Sequence, residues 1–183
     1  MRVAAIIALC ISACFVYGIL HDQVTARICV EYFTIGHPPL IASDSPTLLG
    51  VAWGIAGTWW VGLFLGLSLA AAARAGGWPK FSVRRLLRPV ALVMLFAAAC
   101  ALVFGGIGFV LASSGTVFLV EPFATNVPAE HHVAFLTDLW AHTASYISGF
   151  LGGAIACYVV LRDRAKRAFE QKHPGRRIAP SSR

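Results

Sequence analysis

Residues 89–112 read PVALVMLFAAACALVFGGIGFVLA, a run of twenty-four residues without one charged side chain. A helix needs about 20 apolar residues to cross a hydrocarbon core of about 30 Å, so this run is long enough to span a bilayer. Backbone groups find no hydrogen-bonding partner in lipid, and a helix satisfies them within the segment. The run therefore predicts a transmembrane helix.

Three further runs, at residues 3–20, 48–73 and 143–161, also contain no Asp, Glu, Lys or Arg. Of the 183 residues, 58% are hydrophobic and 13% are charged, whereas soluble domains carry about 25% charged residues. A soluble chain of this length could not bury so much apolar surface. We therefore predict an all-α polytopic membrane protein, an up-down bundle of four transmembrane helices. It forms one domain over residues 1–161, followed by a basic tail over residues 162–183.

The first apolar run also has the length of a signal peptide, and residues 11–14 read ISAC, as in a lipoprotein cleavage site. The run continues beyond Cys14 to Leu20, however, where a processed lipoprotein normally turns polar. We expect a retained helix, with cleavage as the alternative.

Positive charges are distributed unevenly around the four runs. Arg27 lies alone on one side, and the other fourteen lysines and arginines lie on the opposite side: Arg2, Arg74, Lys80, Arg84, Arg85, Arg88, Arg162, Arg164, Lys166, Arg167, Lys172, Arg176, Arg177 and Arg183. The positive-inside rule then predicts that both termini are cytoplasmic. We expect the basic loop and tail to contact anionic lipid headgroups. Because topology explains the net charge of +7, we predict no nucleic-acid partner.

Glycines recur four residues apart within the spans, at Gly50/Gly54, Gly62/Gly66 and Gly149/Gly153. Each pair lies on one helix face, where small residues let helix backbones approach closely in lipid. The pattern predicts a compact bundle and is compatible with a homo-oligomer or with membrane protein partners.

Histidines and carboxylates lie mainly on the side opposite to the basic residues. His131, Asp138 and His142 are separated by seven and four residues, which keeps them on one helix face. Imidazole and carboxylate groups bind zinc, iron, manganese or copper. His21, at the end of the first span, is expected at a depth similar to that of His142. We predict a metal site between the first and fourth helices, with His21, Asp138 and His142 as ligands.

The outer segments supply five secondary candidate ligands: Glu31, His37, Glu130, His131 and His132. We expect the first helix to continue to about Thr34, with Gly36 as a left-handed cap. A second helix is expected to restart near Ala129 and to run directly into the fourth span.

Two other interpretations remain open. Asp138 and His142 can form a hydrogen-bonded pair without a metal, in a non-catalytic structural or assembly subunit of a membrane complex. His21 and His142 can instead be the two axial ligands of a haem in a membrane redox protein. No HExxH motif is present, and the sequence indicates neither catalytic residues nor a substrate.

The segment YGILHDQVT at residues 17–25, with EYFT at 31–34 and GHP at 36–38, resembles part of a group of uncharacterised bacterial integral membrane proteins. The resemblance covers about the first third of the chain. It implies a bacterial inner-membrane protein whose outer face is periplasmic. Since the group has no assigned activity, the resemblance implies no catalytic residues.

Overall fold

The computed structural model describes residues 2–173, and all of their regular structure is helical. Four helical segments in this part of the chain are long and apolar enough to cross a membrane, so the predicted all-α, four-helix fold is confirmed. The helices are α1 (Arg2–Ile28), α2 (Val30–Thr34), α3 (Pro46–Ala56), α4 (Trp59–Arg74), α5 (Val83–Ser113), α6 (Phe123–Asn126) and α7 (His132–Lys172). A turn of 3-10 helix at Ala129–His131 precedes α7, in agreement with the predicted restart near Ala129.

Neighbouring spans pack side by side, α1 against α3 and α4, and α5 against α7. Contacts of α4 with α7 and of α1 with α5 close the bundle. The predicted glycine faces lie at these contacts: a Cβ atom on Gly62 would lie 2.7 Å from Cα of Ile11, and one on Gly66 would lie 2.8 Å from Cα of Ile7. A Cβ atom on Gly149 would instead meet open space, so the third glycine pair does not form such a contact.

The second span is interrupted at Gly57 and Thr58, between α3 and α4. The Thr58 hydroxyl donates a hydrogen bond to the Gly54 carbonyl, and the Tyr146 hydroxyl donates one to the Gly57 carbonyl at 3.1 Å. Side chains thus satisfy the carbonyl groups around the break, which is how irregular backbone is tolerated at membrane depth.

The expected extension of the first helix to Thr34 is wrong, because α1 ends at Ile28. Cys29 is extended, with φ −147° and ψ 102°, and α2 follows it. This bend buries Tyr32 and Phe33 over the end of the bundle. Gly36 is not a left-handed cap either, since the glycines with positive φ among residues 2–173 are Gly76 and Gly115.

The last helix is continuous from His132 to Lys172, so residues 162–172 of the predicted tail extend the fourth span. The end of the tail, residues 174–183, for which the composition predicts disorder, lies outside the described residues.

Two apolar clusters form the core, one toward each end of the bundle. One includes Ile6, Leu69 and Leu86, and the other includes Phe33, Leu49 and Phe135, which join the two outer segments to the helices. Along α1 and α7, the stretches between these clusters carry the buried polar residues other than Arg164, which lies beyond Val160 near the end of α7. The core therefore holds a polar layer between two apolar ones.

Candidate metal centre

The first helix turns one continuous stripe of residues toward the bundle interior. Cys10, Cys14, Gly18, Asp22 and Ala26 recur at steps of four and are all buried. Side chains at i and i+4 lie on one helix face, so this stripe carries the Asp22 carboxylate into the core. The last helix does the same for Asp138 and His142, which are also four residues apart and buried.

Three side chains from these two helices meet in the polar layer. His21, Asp22 and His142 each offer one ligand atom, and these atoms lie within 4.8 Å of one another. The His21 and His142 rings are 4.5 Å apart between centroids and meet edge to face at 76°. Nε2 of His142 lies 3.3 Å from Oδ1 of Asp22. The structure thus brings two predicted ligands together and adds Asp22.

The hydrogen bond at Nδ1 of His142 determines which of the two ring nitrogens is available to a ligand in the neutral ring. Nδ1 of His142 is 2.8 Å from the main-chain carbonyl of Asp138, which can only accept, so Nδ1 carries the proton. In the neutral ring, the Nε2 lone pair then points toward a carboxylate oxygen. Metal-bound histidines almost always donate their second N–H to a carbonyl, a carboxylate or water, as Nδ1 does here. This arrangement prepares Nε2 for a cation.

The site is rich in buried acceptors and poor in positive charge. Asp138 is fully buried, and among the described residues neither of its carboxylate oxygens has a hydrogen-bond partner; Nε2 of His21 is likewise buried without one. Within residues 2–173, neither Asp22 nor Asp138 forms an ion pair with a lysine or arginine. Asp22 is paired with His142, whereas Asp138 has no partner in this part of the chain, and because burying an unpaired carboxylate is costly, the arrangement is compatible with a bound cation.

Aromatic rings surround the two imidazoles. Tyr32 stacks on His142 with 4.4 Å between ring centroids, and Tyr17 stacks on His21 at 5.7 Å. The Tyr17 hydroxyl shares a 2.6 Å hydrogen bond with that of Ser145. These contacts restrict the orientation of both histidine rings.

Asp138, the third predicted ligand, lies one helical turn before His142 but is not part of the three-residue cluster. Its main-chain carbonyl orients the His142 ring, while its side chain has no partner.

The five secondary candidates lie outside the cluster. His131 Nδ1 pairs with Glu31 at 2.7 Å, and Glu130 is exposed. Nδ1 of His37 donates to the Tyr32 carbonyl at 2.8 Å, and Nε2 of His132 donates to the Val127 carbonyl at 2.9 Å. These side chains connect the outer segments to each other and to the helices.

Asp22 was not among the ligands predicted from the sequence. The signal was available in the steps of four along α1, since Cys10, Cys14 and Gly18 are small residues on the face that packs against its neighbours. An aspartate that continues this stripe must face the interior.

No family model, no curated protein and no solved structure matches this chain. Fold and site together define the class: an all-helical bundle with four helices able to span a membrane and a His/Asp cluster between the first and last of them.

Proposed function

We propose that this integral membrane protein binds a transition-metal ion between α1 and α7 through His21, Asp22 and His142. The observation that carries the proposal is the orientation of His142. Its Nδ1–H bonds a main-chain carbonyl and its Nε2 lies 3.3 Å from Oδ1 of Asp22, so in the neutral ring Nε2 and the carboxylate could share one ion. A metal ion would replace the proton that the two groups otherwise share as a hydrogen bond or ion pair.

The ligand set indicates the class of ion. Two imidazoles and one carboxylate with open positions are typical of non-haem iron(II), and a similar set binds catalytic zinc. Asp138 is our candidate for a fourth ligand, because both of its carboxylate oxygens are free and it lies one turn from His142. A remaining open position would polarise a bound water or small molecule.

Haem is less well supported than a single ion. The iron of a haem lies between its two axial imidazoles, in the plane of the porphyrin. The His21 and His142 rings meet edge to face with 4.5 Å between centroids, which leaves no room for a macrocycle between them.

The orientation of the protein is part of the proposal. The loop between α4 and α5 and the end of α7 carry most of the lysines and arginines, which supports cytoplasmic termini and contact with anionic lipid headgroups. The metal site would then lie toward the non-cytoplasmic face, which is periplasmic if the membrane is a bacterial inner membrane.

The test is elemental analysis with a visible absorption spectrum on protein purified in mild detergent without a histidine tag. We expect about one equivalent of iron or zinc and no Soret band. A Soret band with stoichiometric iron would replace the single ion with haem. No metal, even after addition of iron(II) or zinc, would contradict the proposal and favour a structural or assembly subunit.

A further inference from the structure

A partly open cavity of about 180 Å³ adjoins the His/Asp cluster. His21, Asp22 and His142 form part of its wall, and the break at Gly57 and Thr58 forms another part. Along α7, the cavity reaches from His142 to Gly149, about 10 Å at the rise of an α-helix. The space beside the cluster therefore extends toward the middle of the bundle.

The walls of the cavity combine aromatic faces with unpaired polar atoms. Tyr17, Tyr32, Phe33, Trp53 and Tyr146 line it. The indole nitrogen of Trp53 is buried and has no hydrogen-bond partner among the described residues. A buried tryptophan N–H usually finds an acceptor, so this donor calls for one on a ligand.

Besides the Trp53 donor, the cavity wall offers hydrogen-bond acceptors. The Asp22 carboxylate is an acceptor, and beside it Nε2 of His21 is buried without a partner among the described residues and accepts or donates according to its tautomer. A ligand that both donates and accepts would therefore satisfy the wall better than a hydrocarbon, which would leave these polar atoms unpaired.

The volume of the cavity is enough to hold about one six-membered ring. An engineered apolar cavity of about 150 Å³ in another protein binds benzene, and this cavity is slightly larger. Aromatic rings that pair edge to face or offset with wall rings contribute binding beyond their buried area.

We propose that the cavity binds a monocyclic phenol. Its ring packs among the aromatic side chains, and its hydroxyl accepts a hydrogen bond from Trp53 or donates one to an acceptor of the cluster. The inference deepens the proposed function and rests on it in part, because it assigns a ligand class to the same site. The side chains of the cavity would bind the phenol, so its binding can be measured with and without the metal.

The probe is 4-fluorophenol, followed by fluorine NMR on the full chain in detergent, with fluorobenzene as the analogue that lacks the hydroxyl. We expect saturable binding of one equivalent and an affinity at least tenfold higher for 4-fluorophenol. Metal-free and metal-loaded protein are measured in parallel. If the protein binds the phenol but takes up no metal, the cavity inference is upheld and the metal proposal fails. If it takes up metal but does not bind the phenol, only the cavity inference is overturned.

Two glycine substitutions separate binding in the cavity from partition into detergent. Gly149 lines the cavity and a Cβ atom there meets open space, so Gly149→Val adds a side chain at the cavity wall without a steric clash at Cβ. Gly106 also has open space at Cβ, but it lies on an outward face of α5, so Gly106→Val is the matched control. We expect the first variant to lose binding and the second to retain it, with equal helix content in both.

Trp53→Phe tests the hydrogen bond itself, because it keeps a ring and removes the N–H. We expect the affinity for 4-fluorophenol to fall about tenfold and that for fluorobenzene to stay unchanged. Equal affinities of the two probes for the wild-type protein, or binding unaffected by Gly149→Val, would overturn the proposal.

Discussion

Nε2 of His142 lies 3.3 Å from Oδ1 of Asp22, and this contact joins the first and last long helices of the bundle. The two residues are 120 positions apart in the chain, so only the packed bundle brings them together. Nothing else in the described residues offers either side chain a charged partner. The contact between the two side chains therefore depends on the packing of α1 against the rest of the bundle. Substitutions can test both the side chains and the helix packing.

The two imidazoles are expected to act as ligands. His21→Gln and His142→Gln each remove one nitrogen ligand while keeping a polar side chain of similar length. We expect each variant to lower the affinity for iron(II) or zinc by at least tenfold, since the loss even of an outer-shell partner typically costs 10- to 100-fold. Competition with a chelating dye in detergent measures the affinity.

His132→Gln is the matched control for both histidine variants. Nε2 of His132 donates to the Val127 carbonyl and lies outside the cluster. The metal affinity of His132→Gln should equal that of the wild-type protein. Equal losses in all three variants would mean that the ion binds elsewhere or that the substitutions act through folding.

Close backbone contact at Gly62 is expected to be essential for packing α4 on α1. A Cβ atom there would lie 2.7 Å from Cα of Ile11, so the two helix backbones must move apart to accept it. We expect Gly62→Ala to destabilise the fold by about 1–3 kcal/mol, the usual cost of overpacking. Gly106→Ala, where a Cβ atom meets open space, should be neutral. Unfolding in mixed detergent–SDS micelles measures both, and equal stabilities would contradict the close approach of α4 to α1.

Arg164 is expected to fasten the end of α4 and the loop that follows it. The side chain is buried and donates hydrogen bonds to the main-chain carbonyls of Ala72, Ala75, Trp78 and Pro79. The last carbonyls of a helix have no partner within the helix, and here one guanidinium serves several carbonyls at and beyond the helix end.

We expect Arg164→Ala to destabilise the protein by about 3 kcal/mol, because several charge-assisted hydrogen bonds are lost and carbonyls are left without a donor. Arg162→Ala, at an exposed position two residues earlier, should change the stability little. The same unfolding assay compares them. A similar effect of both substitutions would indicate that positive charge, and not this set of hydrogen bonds, is what matters.

A pH dependence is expected from Glu31, which lies outside the spans and pairs with His131 at 2.7 Å. Partial burial favours a higher pKa, but hydrogen bonds from its own main-chain N–H, the His131 ring and the Cys29 thiol outweigh it and hold the pKa of Glu31 below its usual 4.5. A lowered carboxyl pKa stabilises the fold above the usual pKa, and this contribution disappears as the pH falls through the lowered value.

The stability difference between the wild-type protein and Glu31→Gln should therefore shrink as the pH falls from about 6 to 3. Thermal unfolding across this range measures it, with Glu130→Gln, at an exposed position, as the control. A difference that stays constant or grows on acidification would contradict the role assigned to the Glu31 carboxylate.

The fold is predictable from the sequence because hydropathy and glycine spacing are local properties. The meeting of His21 and His142 is predictable as well, since both lie near the same ends of their spans. The break at Gly57 and Thr58 carries no such signal, because its carbonyls are satisfied partly by Tyr146 from another helix.

Asp22 and the bend at Cys29 depend on packing between elements. Asp22 is next to His21 in sequence, and neighbouring residues on a helix point in different directions, so spacing alone does not group the two. The helix stops at Ile28, and the bend that follows places Tyr32 and Phe33 in the apolar cluster with residues of the outer segments. The steps of four along α1 predict that Asp22 is buried, but its meeting with His142 and the bend at Cys29 arise from contacts with residues that are distant in the chain.

The most direct test of the metal site is the metal content of Asp22→Asn compared with that of the wild-type protein. The control is Asp44→Asn, at an exposed aspartate in the first outer segment. An asparagine keeps the shape of the side chain and removes its charge. We predict about one equivalent of iron or zinc in the wild-type protein and in Asp44→Asn, and a content reduced at least tenfold in Asp22→Asn. Equal metal contents in all three proteins would contradict the assignment of Asp22, and with it the proposed site.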